Sequence, residues 1–154
     1  MTTKRSFLSF VVVLLVLAGA AVFARATPAA ATTASARTSV AVGKSNYGQI
    51  LFDGRGYALY AFTSDPRGRA TCYGACAKAW PPFIVKSRPA AGLRAKASLL
   101  GVTRRRDGRL QATYAGRPLY YYVGDTKPGI VLCQNVKEYG GLWLVLRGSG
   151  ALVR

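Results

Sequence analysis

The sequence predicts an all-β, mainly antiparallel fold in which two related repeats share one core. The chain has 154 residues, a length typical of a single domain. Its second half repeats the first at a constant offset of 60 positions, and both copies read Gly-x-x-Leu-Tyr-x-aromatic-x-x-Asp. A tryptophan follows each copy, at Trp80 and Trp143. The matched pairs are Gly56 and Gly116, Leu59 and Leu119, Tyr60 and Tyr120, Phe62 and Tyr122, and Asp65 and Asp125.

Short runs of β-branched and aromatic residues, punctuated by glycine and proline, are the second reason for predicting strands. No long apolar segment with a 3.6-residue period follows residue 26. Each copy presents one apolar face that it cannot bury alone. Two copies packed face to face would form a compact sandwich or barrel of roughly eight strands about a pseudo-two-fold axis.

The first 26 residues have the three parts of a secretory signal peptide. Lys4 and Arg5 supply positive charge, residues 7–23 are uncharged and mostly apolar, and residues 24–26 read Ala-Arg-Ala, an Ala-x-Ala cleavage site. We expect cleavage and a secreted protein of the cell envelope. The alternative is an uncleaved membrane anchor, for which a run of 17 residues is at the lower limit of length.

The rest of the chain divides into a linker and one β domain. Residues 27–38 are rich in Ala, Thr and Pro and lack large apolar side chains, which predicts a flexible linker. A single β domain is predicted at 39–154. Within it, repeat 1 occupies residues 39–85 and repeat 2 occupies residues 99–146.

Repeat 1 is predicted to begin with a strand at residues 40–42 and to continue with a hairpin. Residues 49–52 and 57–62 are apolar and aromatic runs on either side of an Asp-Gly-Arg-Gly loop. Residues 75–80 are long enough for at most one short helix, because the prolines that follow must end it. A short strand is predicted at residues 83–85.

Repeat 2 follows the same order of elements. Residues 99–105 parallel the opening strand of repeat 1, and Asp107-Gly108 is a hairpin signal. Residues 110–114 and 118–123 parallel the two strands of the first hairpin. The continuous apolar run at 142–146 predicts a buried strand.

Two further motifs accompany the repeats. Residues 72–76 read Cys-Tyr-Gly-Ala-Cys, and residues 80–82 read Trp-Pro-Pro. Together with the Tyr-x4-Asp pattern at 60–65 and 120–125, they resemble the secreted-repeat family defined by that motif, a bacterial lipoprotein-type family. The resemblance extends over roughly residues 47–146. It implies a secreted two-repeat module and no particular reaction.

Three cysteines allow one disulfide bond in an oxidising compartment. The resemblance implies the pair Cys72–Cys76, because the Cys-x-Gly-x-Cys element is part of the family pattern. Cys133 departs from that pattern and is expected to be free, with capture of Cys72 or Cys76 as the alternative. No cysteine stands directly after the apolar N-terminal run, so the lipid-attached N-terminus of lipoprotein relatives is not expected.

The composition excludes several classes of site. The chain has no histidine, so no triad or metal site that needs an imidazole can form. Three thiols are too few for a cysteine-only zinc site. Five acidic residues spread along the chain are too few for a calcium site. We expect no catalytic residue, no metal and no cofactor.

The paired Asp65 and Asp125 permit two interpretations. Two carboxylates can form an acid–base pair of the kind that glycosidases use. The favoured interpretation is that each aspartate begins a turn and accepts backbone N–H groups, because glycine and proline follow both of them.

The aromatic residues of the repeats also permit two interpretations. In the favoured one they pack in the shared core, where buried tyrosine hydroxyls would need polar partners. In the other they form a platform for a flat ligand. The residues concerned are Tyr60, Phe62, Trp80, Tyr120, Tyr122 and Trp143.

Positive charge is the strongest remaining signal. The chain carries 22 Lys and Arg against 5 Asp and Glu, a net charge of +17 that becomes +14 after residue 26. A basic patch is predicted around the Asp107-Gly108 turn. A surface of this sign attracts anionic wall polymers or membranes. Specific nucleic-acid recognition is not expected, because the stacking aromatics it needs are assigned to the core. The patch comprises Arg104, Arg105, Arg106 and Arg109.

The function that these features favour is a secreted, non-enzymatic, envelope-associated repeat module with an interaction or structural role toward anionic partners. The alternative is an envelope redox or electron-transfer accessory that uses Cys72 and Cys76 or an aromatic pocket. The sequence makes no prediction of oligomeric state.

Overall fold

The computed structural model describes residues 38–154, and every element named below lies in that range. The predicted signal peptide at 1–26 and residues 27–37 of the predicted linker lie outside the described residues. No helix between residues 38 and 154 has the length and apolar character needed to cross a bilayer.

Ten short strands, one α-helix and one 3-10 helix make up the described chain. The mainly antiparallel all-β prediction is confirmed, and the α-helix lies where a short helix was expected. The elements are β1 (Ser39–Ser45), β2 (Gly48–Asp53), β3 (Tyr60–Phe62), α1 (Ala75–Ala79), β4 (Ile84–Val85), β5 (Ala90–Ala91), the 3-10 helix (Ala97–Leu99), β6 (Leu100–Arg104), β7 (Leu110–Tyr114), β8 (Arg117–Pro118), β9 (Val136–Glu138) and β10 (Gly141–Val145).

The strands of residues 38–154 form three small sheets. The first has the order β2-β1-β5, the second β3-β10-β9, and the third β4-β7-β6 with β8 added to β7. The pairs are antiparallel except β1 with β5, which is parallel. The sheets do not close into a barrel across this part of the chain.

Each repeat opens with a hairpin, β1–β2 in repeat 1 and β6–β7 in repeat 2. The Asp107-Gly108 turn signal is therefore confirmed. Gly48 and Gly108 occupy equivalent places at the two turns, with φ of +85° and +81°. Glycine is favoured in this left-handed region because it has no Cβ.

The predicted hairpin around residues 53–56 is present only at its base. Phe52 forms an antiparallel bridge with Ala58, and the Leu59 N–H donates to the Leu51 carbonyl at 3.1 Å. The chain then leaves β2, because residues 60–62 pair with β10 instead.

The C-terminal segment of each repeat pairs with the other repeat. β3 of repeat 1 pairs with β10 of repeat 2, with Phe62 opposite Trp143. β4 of repeat 1 pairs with β7 of repeat 2. At the centre, Tyr60 and Tyr120 pair with each other through two backbone hydrogen bonds of 2.9 Å. Antiparallel pairing of equivalent residues is a local two-fold relation, so the pseudo-two-fold axis passes between these two tyrosines.

Alternation along the central segments creates two cores, one on each face. Fully burying a large apolar side chain contributes about 1.5–3 kcal/mol, so both cores stabilise the joined repeats. The aromatic core includes Tyr60, Phe62, Trp80, Tyr120 and Trp143. The aliphatic core lies on the other face and includes Val40, Leu51, Leu59, Phe83, Leu100, Leu119 and Leu146.

Candidate functional site

The two tyrosine–aspartate motifs are crossed between the repeats. The Tyr60 hydroxyl donates to Asp125 Oδ2 at 2.7 Å, and the Tyr120 hydroxyl donates to Asp65 Oδ2 at 2.7 Å. All four side chains are buried. This exchange follows from the antiparallel pairing of Tyr60 with Tyr120. The residues that follow each tyrosine run back along the segment that precedes the other tyrosine.

The second carboxylate oxygen of each aspartate accepts hydrogen bonds from the loop that follows that aspartate. Asp65 Oδ1 accepts the backbone N–H of Thr71 at 2.7 Å and the Thr71 hydroxyl at 2.6 Å. Asp125 Oδ1 accepts the backbone N–H of Leu132 at 3.0 Å. The expected role as an acceptor of backbone N–H groups is present, and the tyrosine partners are an addition that the sequence interpretation missed.

Burial sets the protonation of these pairs. It raises the pKa of the Asp65 and Asp125 carboxyls above their ordinary value, and the hydrogen bonds they accept oppose that rise. Burial, reinforced by the neighbouring carboxylates, raises the pKa of the Tyr60 and Tyr120 hydroxyls far above the usual range. Each tyrosine hydroxyl therefore stays protonated and donates a hydrogen bond to its aspartate. With both oxygens of each carboxylate engaged by protein groups, the four side chains cross-link the repeats.

The two tryptophans form the centre of a row of four aromatic rings. Their planes are 3° apart with centroids separated by 4.0 Å. Phe62 stacks on Trp143 at 4.3 Å, whereas the Tyr122 ring is tilted by 40° against Trp80 at 4.8 Å. Both tryptophans have an exposed fraction of 0%. The predicted packing in a shared core is confirmed for Tyr60, Phe62, Tyr120 and both tryptophans, whereas Tyr122 is only partly buried against that core. Neither tryptophan offers a face to a ligand. The rings follow one another in the order Phe62, Trp143, Trp80 and Tyr122.

The polar edges of the two tryptophans differ. Trp80 Nε1 donates to Glu138 Oε2 at 2.9 Å. Trp143 Nε1 is buried and has no hydrogen-bond partner among residues 38–154. The pseudo-symmetry of the rings is thus broken at their N–H groups.

One disulfide bond joins Cys72 to Cys76, with an S–S distance of 2.03 Å, and Cys133 is free. The pairing implied by the resemblance is confirmed. Both bonded cysteines are buried, at 1% and 7% exposure. Cys133 is half-buried against the aromatic core, and burial raises the pKa of its thiol.

Arg105 is not part of an exposed basic patch, and this corrects the sequence interpretation. Its side chain is buried, because strand alternation turns Thr103 and Arg105 inward and leaves Arg104 and Arg106 exposed. The Arg105 guanidinium donates to Gln111 Oε1 at 2.6 Å and, through its other terminal nitrogen, to the Cys72 carbonyl at 2.7 Å.

The exposed members of the predicted patch differ in their pairing. Arg109 donates to Asp107 at 2.7 and 3.1 Å, and these hydrogen bonds lower the pKa of Asp107 to about 2. Arg104 donates to the Gly108 carbonyl at 2.8 Å. Its charge is therefore not neutralised by a carboxylate there.

A groove of about 530 Å³ lies beside this strand, and we call it the basic groove. Tyr73 contributes its aromatic ring, with the guanidinium carbons of Arg105 and Arg106 at 4.2 and 4.1 Å from the ring centroid. The Tyr73 hydroxyl accepts the backbone N–H of Arg106 at 3.0 Å. The lining residues are Arg69, Ala70, Thr71, Tyr73, Arg104, Arg105 and Arg106.

Two segments of the chain, residues 41–84 and 101–147, match a family model described as a secreted repeat of unknown function. Together they cover more than half of the chain. The chain belongs to this family of secreted repeats. Each half of the secreted repeat protein contains one match, in keeping with the two copies seen in its sequence. No curated protein and no solved structure matches the chain.

Two groups of residues in the secreted repeat protein escaped the sequence interpretation. Asp53 is buried and accepts the Tyr121 hydroxyl at 3.0 Å and the backbone N–H groups of Arg55 and Tyr57 at 2.9 and 3.0 Å. Its place before a Gly-Arg-Gly loop was the available signal. Arg69 and Tyr73 line the basic groove, but no spacing in the sequence connects them to residues 104–106.

Proposed function

We propose that this secreted repeat protein is a non-enzymatic module that binds anionic polymers or membrane surfaces of the cell envelope through its cationic exterior. One observation carries the proposal. Between residues 38 and 154, sixteen of eighteen Lys and Arg side chains are exposed, against two of five Asp and Glu side chains.

The acidic residues are occupied inside the protein. Asp53, Asp65 and Asp125 are buried and accept hydrogen bonds from tyrosine hydroxyls and backbone N–H groups. They therefore leave most surface cations without a counter-charge. Ion pairs within residues 38–154 involve three of the arginines, Arg55, Arg105 and Arg109.

An exterior of this kind attracts polyanions without a shaped site. Charges of one sign sum to a positive surface potential that extends about one Debye length, which is about 10 Å at 0.1 M salt. Long anionic polymers or lipid surfaces can contact many of these cations together. The attraction is expected to weaken as salt screens the charges.

The redox alternative has less support. A disulfide that exchanges with partner thiols needs an accessible sulfur. Cys72 and Cys76 are 1% and 7% exposed, and the tryptophans of the aromatic core are fully buried. Thiol trapping of the secreted protein separates the two functions: a pair found both reduced and oxidised favours the accessory, and a permanently closed bond favours the binding module.

Adsorption to charged surfaces tests the proposed function. We expect the protein to adsorb to polyglutamate and not to polylysine, and to be released as salt rises from about 0.1 M to about 1 M, where the Debye length falls to about 3 Å. Substitution of four exposed lysines with glutamine should weaken adsorption. The four are Lys44, Lys78, Lys86 and Lys137.

The matched control replaces the same four lysines with arginine, which keeps the charge. This variant should adsorb like the wild type. Equal adsorption to polyglutamate and polylysine, or adsorption that persists in about 1 M salt, would contradict the proposal.

A further inference from the structure

We propose that the basic groove is a binding site for phosphate groups. The inference rests on the proposed function, and it names a site and a ligand chemistry where that function needs only a cationic exterior. The phosphate is supplied either by an anionic polymer with phosphodiester links or by the free ion.

The first argument is the charge of the groove walls. Arg69, Arg104 and Arg106 are exposed and line the groove, whose lining residues include no carboxylate. The acid on the adjoining turn, Asp107, is already engaged by Arg109 at 2.7 and 3.1 Å. The positive charge of the three groove arginines therefore faces the groove without a matching acid in its lining.

The second argument is the buried cation at the groove wall. Arg105 hydrogen-bonds two neutral oxygens, those of Gln111 and Cys72. Its Nε has no hydrogen-bond partner within residues 38–154, and its ion pair with Asp107 Oδ2, at 3.6 Å, is shared with Arg109, which lies at 2.7 Å from the same oxygen. A buried guanidinium that is only partly compensated gains free energy from a nearby anion.

The third argument is that the groove is held in shape before any ligand arrives. The Cys72–Cys76 disulfide brackets Tyr73, and the Cys72 carbonyl fixes Arg105. The Tyr73 ring contacts two guanidinium groups, and its hydroxyl holds the backbone of Arg106. Side chains already held in place lose less conformational entropy on binding, which favours affinity.

The number of arginines favours phosphate over a carboxylate. A guanidinium group binds oxyanions through parallel N–H donors, and phosphate offers more acceptor oxygens than a carboxylate. Three exposed arginines around one groove suit an anion that can accept hydrogen bonds from several guanidinium groups at once. This is the chemistry that connects the groove to phosphate-bearing polymers.

Titration with inorganic phosphate, followed by NMR of the arginine Nε–H and tyrosine ring signals, tests the site. We expect saturable shifts at Tyr73, Arg104 and Arg106. Arg104→Gln together with Arg106→Gln should weaken phosphate binding by at least about tenfold, because charge-assisted hydrogen bonds are lost.

The matched control is Arg94→Gln together with Arg147→Gln, which removes two exposed charges outside the groove lining. It should change phosphate affinity by less than about twofold, as expected for exposed charges that are screened by salt and do not line the groove. An equal loss in both double variants, or shifts spread over the surface without saturation, would overturn the site. Because all four arginines are exposed, an unchanged backbone spectrum will show that the variants remain folded.

A second arm uses a linear polyphosphate. Tighter binding per phosphate group than inorganic phosphate supports a polymer as the source, and equal binding supports the free ion at the same site. If polyanion adsorption remains salt-sensitive while the groove variant and its control behave alike, the groove proposal fails and the proposed function stands. If adsorption is insensitive to salt while phosphate still saturates the groove, the proposed function fails instead.

Discussion

Tyr60 and Asp125 lie 65 positions apart in the chain and are joined in the interior by a 2.7 Å hydrogen bond. Tyr120 and Asp65 make the same bond in the opposite direction. Each repeat thus supplies the donor for the other repeat's buried carboxylate. A buried charge without donors is costly, so one repeat alone lacks a partner that its fold requires.

The arginines around the basic groove should differ in how much they stabilise the fold, because one is buried and the others are exposed. Arg105→Met leaves the Gln111 and Cys72 oxygens without their donor, and a buried unsatisfied polar group costs about 1–3 kcal/mol. Arg104→Gln and Arg106→Gln change exposed side chains and should alter the free energy of unfolding by no more than about 0.5 kcal/mol. Urea denaturation of the three variants measures the difference. Equal stability of all three would mean that the inward position of Arg105 is wrong.

The buried carboxyls should make stability depend on pH. A carboxyl whose pKa is higher in the folded state stabilises the fold fully below its unfolded pKa and loses that contribution as pH rises through the folded value. The pKa of Asp125 is raised from an ordinary value of 3.8. We therefore expect Asp125→Asn to flatten the decline in unfolding free energy that begins as pH rises above this ordinary value.

Asp107→Asn is the control for this pH dependence. The pKa of Asp107 is lowered to about 2 in the folded protein. Its contribution to stability is therefore present above the ordinary pKa of 3.8 and is lost as pH falls through the folded value. Its substitution should leave the slope above about pH 4 unchanged. An undiminished slope in Asp125→Asn would show that this carboxyl does not titrate as its burial requires.

The two tryptophans should differ in their response to the same substitution. Trp80→Phe removes the N–H that binds Glu138, whereas Trp143→Phe removes a buried N–H with no partner among residues 38–154. Both changes lose stacked area, but only Trp80→Phe also breaks a hydrogen bond. Trp80→Phe should therefore destabilise the protein by about 1–3 kcal/mol more than Trp143→Phe does. Thermal and urea melts of the two variants decide the order. The reverse order would contradict the hydrogen-bond assignment.

The cysteines should also divide into two classes. Cys133→Ser changes a half-buried free thiol and should alter stability by no more than about 0.5 kcal/mol. Loss of a native disulfide from a small secreted domain costs about 2–5 kcal/mol, and the short Cys72–Cys76 loop places the double serine variant at or below the lower limit. Non-reducing peptide mapping that found Cys133 in a linked peptide would refute the pairing.

The fold was largely predictable because the signal is local and occurs twice. Alternation around Tyr60 and Tyr120 sends the aromatic residues to one face and the leucines to the other, as the two cores show. The turn at Asp107-Gly108 is likewise written in adjacent residues. The departure of residues 60–62 from their predicted hairpin could not be predicted from adjacent residues, because the competing strand β10 lies about 80 residues later in the chain.

The candidate site was predictable only in part. Equal Tyr-x4-Asp spacing in both copies identified four important residues, but nothing in one copy shows that the partners are exchanged. The basic patch was assigned from sequence proximity, which cannot tell the inward Arg105 from its outward neighbours without the strand register. Arg69 and Tyr73 joined the groove through tertiary packing alone.

The most direct test of the exchange between repeats is a pair of double-mutant cycles on the free energy of unfolding. Tyr60→Phe is combined in one cycle with Asp125→Asn and in the other with Asp65→Asn. We expect a coupling energy of at least about 1 kcal/mol for Tyr60 with Asp125, because contacting residues couple by about 0.5–3 kcal/mol. For Tyr60 with Asp65, in its own repeat, we expect a value within about 0.5 kcal/mol of zero. Stronger coupling of Tyr60 to Asp65 than to Asp125 would contradict the exchanged arrangement.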